Sequence, residues 1–299
     1  MPWKNWSAER LGIALALLAA FGFSLKAIFV KLAYAAAPVE AITLLALRMA
    51  LSLPFFVVAG LAALRSGEPL SRHDWGLLVV LGLLGYYASS MLDFLGLQYI
   101  SAGLERLILF TYPTLTIVVG VLFLGKRFDR RLIPALLLSY AGIGLAFAHD
   151  LQLAGDTRSV LIGAAFVFGS ALTYACYSAG AEVAVHRIGA ARFSALGLLV
   201  STAAAQLHFL LSEPLAALIQ PWPVYAYGAG MALFSTVLPV FWQSAAIRRI
   251  GSARTVLIGT LGPMLTLFFS WTLLDEPLSA HQLGGAALVV GGVLLVTRK

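Results

Sequence analysis

Charge is scarce in this chain. Of 299 residues only 11% are Asp, Glu, Lys or Arg, 61% are apolar, and the mean hydropathy is +0.92. A soluble domain carries about 25% charged residues, and a water-soluble fold of this size needs a largely polar shell. An ordinary soluble enzyme and a disordered regulator are thereby excluded. Cysteine is scarcer still. The single Cys176 lies inside an apolar run, so neither a disulfide framework nor a thiolate metal site is expected. The five histidines (His73, His149, His186, His208 and His281) are scattered, and no HExxH, GxSxG or paired His/Cys set occurs. No catalytic residues, no metal and no cofactor are expected. Strand-type alternation is also missing, which excludes a β-barrel.

What the chain does have is long apolar runs. A spanning helix needs about 20 mostly apolar residues, and ten such stretches lie near 11–33, 40–63, 75–97, 102–124, 132–149, 159–181, 190–211, 224–247, 252–274 and 281–297. The fold class this implies is an all-α integral membrane protein of ten transmembrane helices in a lipid bilayer, with no room for a catalytic domain on either side. Lys4 and Arg10 before an apolar stretch invite a signal-peptide reading, but Lys26, Lys31 and the length of the stretch argue against cleavage. Gly120-Val-Leu-Phe-Leu-Gly-Lys126-Arg127 nearly spells a P-loop. Arg127, however, stands where a magnesium-binding Ser or Thr is needed, so an ATP-driven pump is not expected.

The formal charge of +7 and pI near 9.7 look at first like a nucleic-acid signal. The positions of the charges say otherwise. Fifteen of the 20 basic residues, from Lys4 and Arg10 through Lys126–Arg131 and Arg248–Arg254 to Lys299, fall on one predicted face. Cytoplasmic loops carry such an excess. Both termini are therefore expected in the cytoplasm, and no nucleic-acid partner is expected.

The chain also repeats itself. Residues 100–124 align with 250–274 at an offset of 150, pairing Ile100 with Ile250, Pro113 with Pro263, and Leu115-Thr116 with Leu265-Thr266. Gly142 then meets Gly292, and Gly12 aligns with Gly163 at offset 151. Residues 1–150 and 151–299 thus read as two five-span repeats around a central cavity. An odd span number inverts the second repeat, and loop charges agree, with Lys126-Arg127 opposite Asp275-Glu276 and Gln98-Tyr99 opposite Arg248-Arg249. Inverted-topology repeats mark secondary transporters with a site near midplane.

The segment Gly96-Leu-Gln-Tyr-Ile-Ser-Ala-Gly-Leu-Glu-Arg-Leu, with Tyr112-Pro113 and Leu-Gly-Lys-Arg-Phe after it, resembles the EamA pattern of the drug/metabolite transporter superfamily. The second half repeats it as Ile250-Gly-Ser-Ala, Gly262-Pro263 and Leu274-Asp-Glu-Pro-Leu. The resemblance covers essentially the whole chain and is nearest to the YddG-type amino-acid exporters of bacterial inner membranes. It implies a ten-helix export carrier for amino acids and related metabolites, with a cavity lined by spans 1, 3, 4, 6, 8 and 9. The family's usual acidic residue after span 4 is replaced by Lys126, while Glu276 keeps it in the second half.

Ionisable residues inside a membrane are expensive, and they mark functional sites or internal pairs. Here they are Lys26, Arg48, Asp93, Glu105 and Arg106, all in the outer half and all from the first repeat. One reading is a substrate site, with Lys26 meeting a carboxylate and Asp93 or Glu105 meeting an ammonium or carrying a coupling proton. The other is structural, with Arg48 paired to Asp93 and Glu105 to a neighbouring helix. Tyr86, Tyr112, Tyr174, Tyr177, Trp242 and Gln243 are candidates for the cavity wall, Tyr174 and Tyr177 sharing a face at i, i+3. Trp75, Trp222 and Tyr99 suit the interface. Pro113 and Pro263, at equivalent mid-span positions, are expected to kink their helices, as hinges or for packing. Gly142, Gly144, Gly284, Gly285, Gly291 and Gly292 suit close helix approach, within the chain or in a homodimer seam, leaving a monomer or homodimer open.

The expected function is export of small molecules, amino acids first, by alternating access. A drug or nucleotide-sugar carrier, a channel with one continuous pore and an intramembrane enzyme are the alternatives, two facing acids in a sealed pocket being the mark of the last.

Overall fold

The structure, a computed structural model, describes residues 3–65, 69–125, 130, 132–154 and 156–297. Lys126, Arg127, Arg131, Arg298 and Lys299 of the basic face lie outside the described residues. The described residues are helical with no strand. The order is α1 (Trp3–Ala36), α2 (Ala41–Arg65), α3 (Arg72–Gly82), a π-helical turn (Leu83–Ala88), α4 (Ser89–Gly96), α5 (Ala102–Leu109), α6 (Tyr112–Phe123), α7 (Leu132–Ala154), α8 (Thr157–Ile188) and α9 (Ala190–Ser212). There follow α10 (Trp222–Ala232), a second π-helical turn (Leu233–Val237), α11 (Leu238–Gly259), α12 (Gly262–Leu273) and α13 (Ala280–Thr297). Among the described residues, seven helices or helix runs are long and apolar enough to cross a membrane, and Ile133–Ala148, Leu257–Leu273 and Ala280–Leu295 are shorter apolar helices.

Local chemistry sets the ends. Ser71 and Asp74 form a capping box at the start of α3, and Ser101 caps α5 by accepting from the Leu104 N–H at 3.0 Å. Asp156 caps α8. The Ser159 hydroxyl and the Arg158 N–H hold its carboxyl below the usual carboxylate range. Within α11, Gly251 has φ 81° and breaks the helix, a conformation that costs glycine little.

The irregularities recur at the sequence offset. The π-helical turns begin at Leu83 and Leu233, and helices restart at Tyr112 and Gly262. The backbone closes both breaks alike: Thr111 N–H bonds to Ile108 O and Leu261 N–H to Ile258 O, each at 3.1 Å. Pro113 and Pro263 do not kink continuous helices, as the sequence suggested. The preceding helix ends four residues before each proline, at Leu109 or Gly259, and the proline then sits in the first turn of α6 or α12, where its missing N–H leaves no bond unmade. Packing recurs too. A Cβ built on Gly12 would lie 2.6 Å from Ile250 Cγ2, and one on Gly163 would lie 2.7 Å from Ile100 Cγ2.

The two halves share one core. α1 packs along α10, α11 and α12, α2 along α9 and α10, α4 along α8, and α7 along α13. The outward face is apolar: Val58, Phe123, Leu211 and Ile219 are exposed, as lipid contact requires. The α7–α13 seam is backbone against backbone. A Cβ on Gly142 would meet Gly285 O at 2.4 Å, whereas one on Gly144 would meet nothing within 4 Å. Gly142→Ala is therefore expected to destabilise the detergent-solubilised protein by about 1–3 kcal/mol, the usual cost of overpacking. Gly144→Ala is expected to leave the thermal midpoint unchanged or slightly raised.

Candidate functional site

Four helices bring the intramembrane charges to one place. Lys26 comes from α1, Arg48 from α2, Asp93 from α4, and Glu105 and Arg106 from the first turns of α5. Asp93 and Glu105 are fully buried, and their carboxyl groups adjoin. Lys26 Nζ stands 2.7 Å from Asp93 Oδ2 and 3.9 Å from Glu105 Oε1. Arg106 Nε lies 3.8 Å from Glu105 Oε2, and Arg106 Nη2 donates to the Phe23 carbonyl of α1 at 2.8 Å. The lysine side chain keeps 18% of its surface exposed, so the cluster is not sealed.

Arg48 does not make the pair with Asp93 that the sequence offered as a structural reading. No described carboxylate lies within 4.0 Å of it, and its Nε and Nη1 are buried without a hydrogen-bond partner. Its guanidinium sits 5.5 Å from the Phe94 ring centroid, within electrostatic reach of Asp93. A desolvated cation–π contact contributes about 2 kcal/mol, whereas desolvating an ion costs several kcal/mol. Phe94 alone does not offset the burial.

The tyrosines form a file beside this cluster. Tyr112 stacks edge-on against Tyr174 with centroids 4.8 Å apart, Tyr174 meets Tyr177 at 5.3 Å, and Tyr177 meets Tyr86 at 5.1 Å. The Tyr86 and Tyr177 hydroxyls are 2.8 Å apart, and Tyr177 stacks on Phe193. The π-helical turn and Gly85 make room: a Cβ on Gly85 would fall 2.2 Å from the Tyr177 ring. Tyr112, at the α5–α6 break, lies within electrostatic reach of Arg106, linking file and cluster. Trp242 and Gln243 are not drawn in. Both are half-buried on α11, and no hydrogen bond or ring contact joins either to these groups.

Sequence reasoning missed several fastenings around the site. Lys31 Nζ donates to the Leu97 and Ile100 carbonyls at 3.4 and 3.0 Å, and the Tyr34 hydroxyl donates to Phe94 O at 2.9 Å. Together with Lys26 and Arg106 they tie the Ala36 end of α1 to α4 and α5. A cavity of about 420 Å³ opens beside this tie, lined by Lys31, Tyr34, Pro38 and Gln98 among others. Glu276, singled out in the sequence without a role, accepts the Ala102 N–H with both carboxylate oxygens at 3.1 Å. It thus adds a negative charge to the positive end of α5 from the opposite half of the chain. The positions equivalent to α1 and α5 are α8 and the end of α11. α1 packs on α5, but α8 makes no comparable packing with α11 or α12 among the described residues.

A double-mutant cycle tests the central pair. Asp93→Asn and Lys26→Met are each expected to lower thermal stability, and the double variant to recover part of the loss. The expected coupling is about 1–3 kcal/mol, as for residues in one ionic network. Strict additivity would mean that the pair does not hold the helices.

Comparison with known proteins follows this geometry. Residues 10–148 and again 161–298 match the model of the EamA-like transporter family. "Uncharacterized transporter YcbK" of Bacillus subtilis (strain 168) is 32% identical over 225 residues, 71% of this chain and 70% of that protein. "UDP-xylose transporter 1" of Arabidopsis thaliana is 26% identical over 228 residues, 74% of this chain and 65% of that protein. A crystal structure at 18% identity matches with a TM-score of 0.66 over 95% of this chain and 96% of that one, a likeness of fold alone.

Proposed function

The chain belongs to the EamA-like transporter family, and from that premise we propose that it is a secondary carrier exporting amino acids and related small metabolites by alternating access. The proposed setting is the bacterial inner membrane, with ten spans in two inverted repeats, 1–150 and 151–299, and both termini cytoplasmic. The observation that carries the reading is the buried Lys26–Asp93–Glu105 cluster where α1 meets α4 and α5. A zwitterion can offer a carboxylate to Lys26 and an ammonium to Asp93 or Glu105, so each partner given up when the helices part is replaced. The file of Tyr86, Tyr177, Tyr174 and Tyr112 is the proposed wall for the substrate's side chain, and Trp242 and Gln243 are kept as more distant lining candidates. Pro113 and Pro263 mark the proposed hinges, at breaks where little backbone bonding must change. Asp93 and Glu105 are also the groups proposed to carry a coupling proton.

The unequal ends support a direction of opening. The Ala36 end of α1 is fastened to α4 and α5, while among the described residues the equivalent end of α8 makes no comparable packing with α11 or α12. On the proposed topology this is an inward-open carrier, ready to load from the cytoplasm.

Two acids do adjoin here, the feature set above as the mark of an intramembrane enzyme. Lys26 reaches both and Arg106 reaches one, an arrangement that holds the carboxylates in ion pairs and frees neither as a base. The likeness to a UDP-xylose transporter favours nucleotide-sugar exchange as a second reading. Counterflow in proteoliposomes with labelled amino acids, UDP-sugars and organic cations separates these readings. Saturable exchange of an amino acid is expected, reduced at least tenfold in Lys26→Ala at equal reconstitution. Exchange of UDP-sugars alone would favour the second reading, and unsaturable flux would favour a channel.

A further inference from the structure

The buried charges do not balance. In their ordinary charge states, Lys26, Arg48 and Arg106 face Asp93 and Glu105, three cations against two anions. Each ionic contact that forms involves Lys26 or Arg106. Arg48 is left over: it is 5% exposed, two of its nitrogens have no hydrogen-bond partner, and its neighbour is an aromatic face. Around it α2 presents the apolar core residues Leu44, Leu45 and Met49, and the buried Ser52 hydroxyl donates to the Arg48 carbonyl, so α2 offers the guanidinium no acceptor side chain in ion-pair contact. A buried guanidinium without an ion pair, set beside a cluster of ion pairs, has donors to offer an anion. Arginine suits that role, since it stays charged at any accessible pH and offers several donors in a fixed plane.

We propose that Arg48 is the first receiver of the acid group of the transported molecule, before that group reaches Lys26, so that the substrate must carry a carboxylate. The inference rests on the carrier reading and narrows it: zwitterionic amino acids and monoanionic carboxylates are taken, and the corresponding amides, which lack the anion, are not. Lys26 is already engaged by Asp93 at 2.7 Å, which leaves Arg48 as the cation available to a ligand in this state.

The test uses the full-length protein in detergent and in proteoliposomes, with L-phenylalanine, N-acetyl-L-phenylalanine and L-phenylalaninamide as probes. Arg48→Gln and Arg48→Lys are compared with wild type. Both acids are expected to raise the wild-type thermal midpoint and to exchange in counterflow, and the amide to do neither. Arg48→Gln is expected to lose at least tenfold in apparent affinity for the acids, with Arg48→Lys in between. A merely structural arginine would give a less stable ligand-free Arg48→Gln protein. A receptor arginine gives the opposite sign, because removing an unpaired buried charge raises the ligand-free midpoint or leaves it unchanged. Equal handling of acid and amide by wild type would overturn the proposal even if Arg48→Gln failed to fold. So would full acid affinity in Arg48→Gln, or stabilisation by neither acid. Acid-specific stabilisation without amino-acid exchange would keep the role of Arg48 and refute the amino-acid carrier.

Discussion

Burying charge in an apolar medium costs several kcal/mol per ion, and the structure is organised around how that cost is met. Asp93 and Glu105 lie on two short helices, neither of which spans the bilayer alone. Their cations come from α1 and from α5 itself, so α1 cannot leave α4 and α5 without stranding two carboxylates. An ion-pair cluster of this type is an indifferent source of stability but a good latch, since only a ligand bearing both charges can open it without leaving one charge uncompensated. The same constraint explains why the fastenings nearby use the Leu97, Ile100 and Phe94 carbonyls. The loop between α4 and α5 has no strand or helix partner, and in a membrane its backbone oxygens need donors.

Repetition would supply the second state of the proposed carrier. The π-helical turns, the helix breaks before Pro113 and Pro263, and the glycine–isoleucine contacts all recur at the offset of the sequence repeat. Two halves with the same irregularities can take up each other's conformation at little difference in energy, because each contact type already exists in the other half. The charges are not repeated, however. All five intramembrane ionisable residues come from the first half, so the alternative state would be closed by different chemistry. The ion pairs Glu9–Arg254 and Asp74–Arg187, at the opposite end of the bundle, are exposed counterparts that water can screen.

Much of this was legible in the sequence, for physical reasons. Apolar run length marked the helical stretches, because a bilayer sets a minimum apolar length for a helix that crosses it. The offset of 150 gave the repeat, and Tyr174 and Tyr177 at i, i+3 gave half of the aromatic file. Partner choice was not legible. Asp93 has three cations at similar depth, and only the approach of α1 selects Lys26 over Arg48. The capping of α5 by Glu276, across 174 residues, has no local sequence signal. Neither do the π-helical turns, the first of which holds Gly85 against the Tyr177 ring. For Trp242 and Gln243, residue type and depth do not say which face of α11 meets a site.

The central claim is that the two ends of the bundle open reciprocally around the cluster. Distance measurements between spin labels address it directly, with Cys176 replaced and labels at Ala36 and Gln98 for one end and at Val183 and Arg248 for the other. Without substrate the first distance should be short and narrowly distributed and the second long. Substrate exchange should populate the reverse pattern, with the two changes in step, and Lys26→Ala should favour the reverse state in its absence. Distances that stay fixed, or that lengthen together at both ends, would contradict the account.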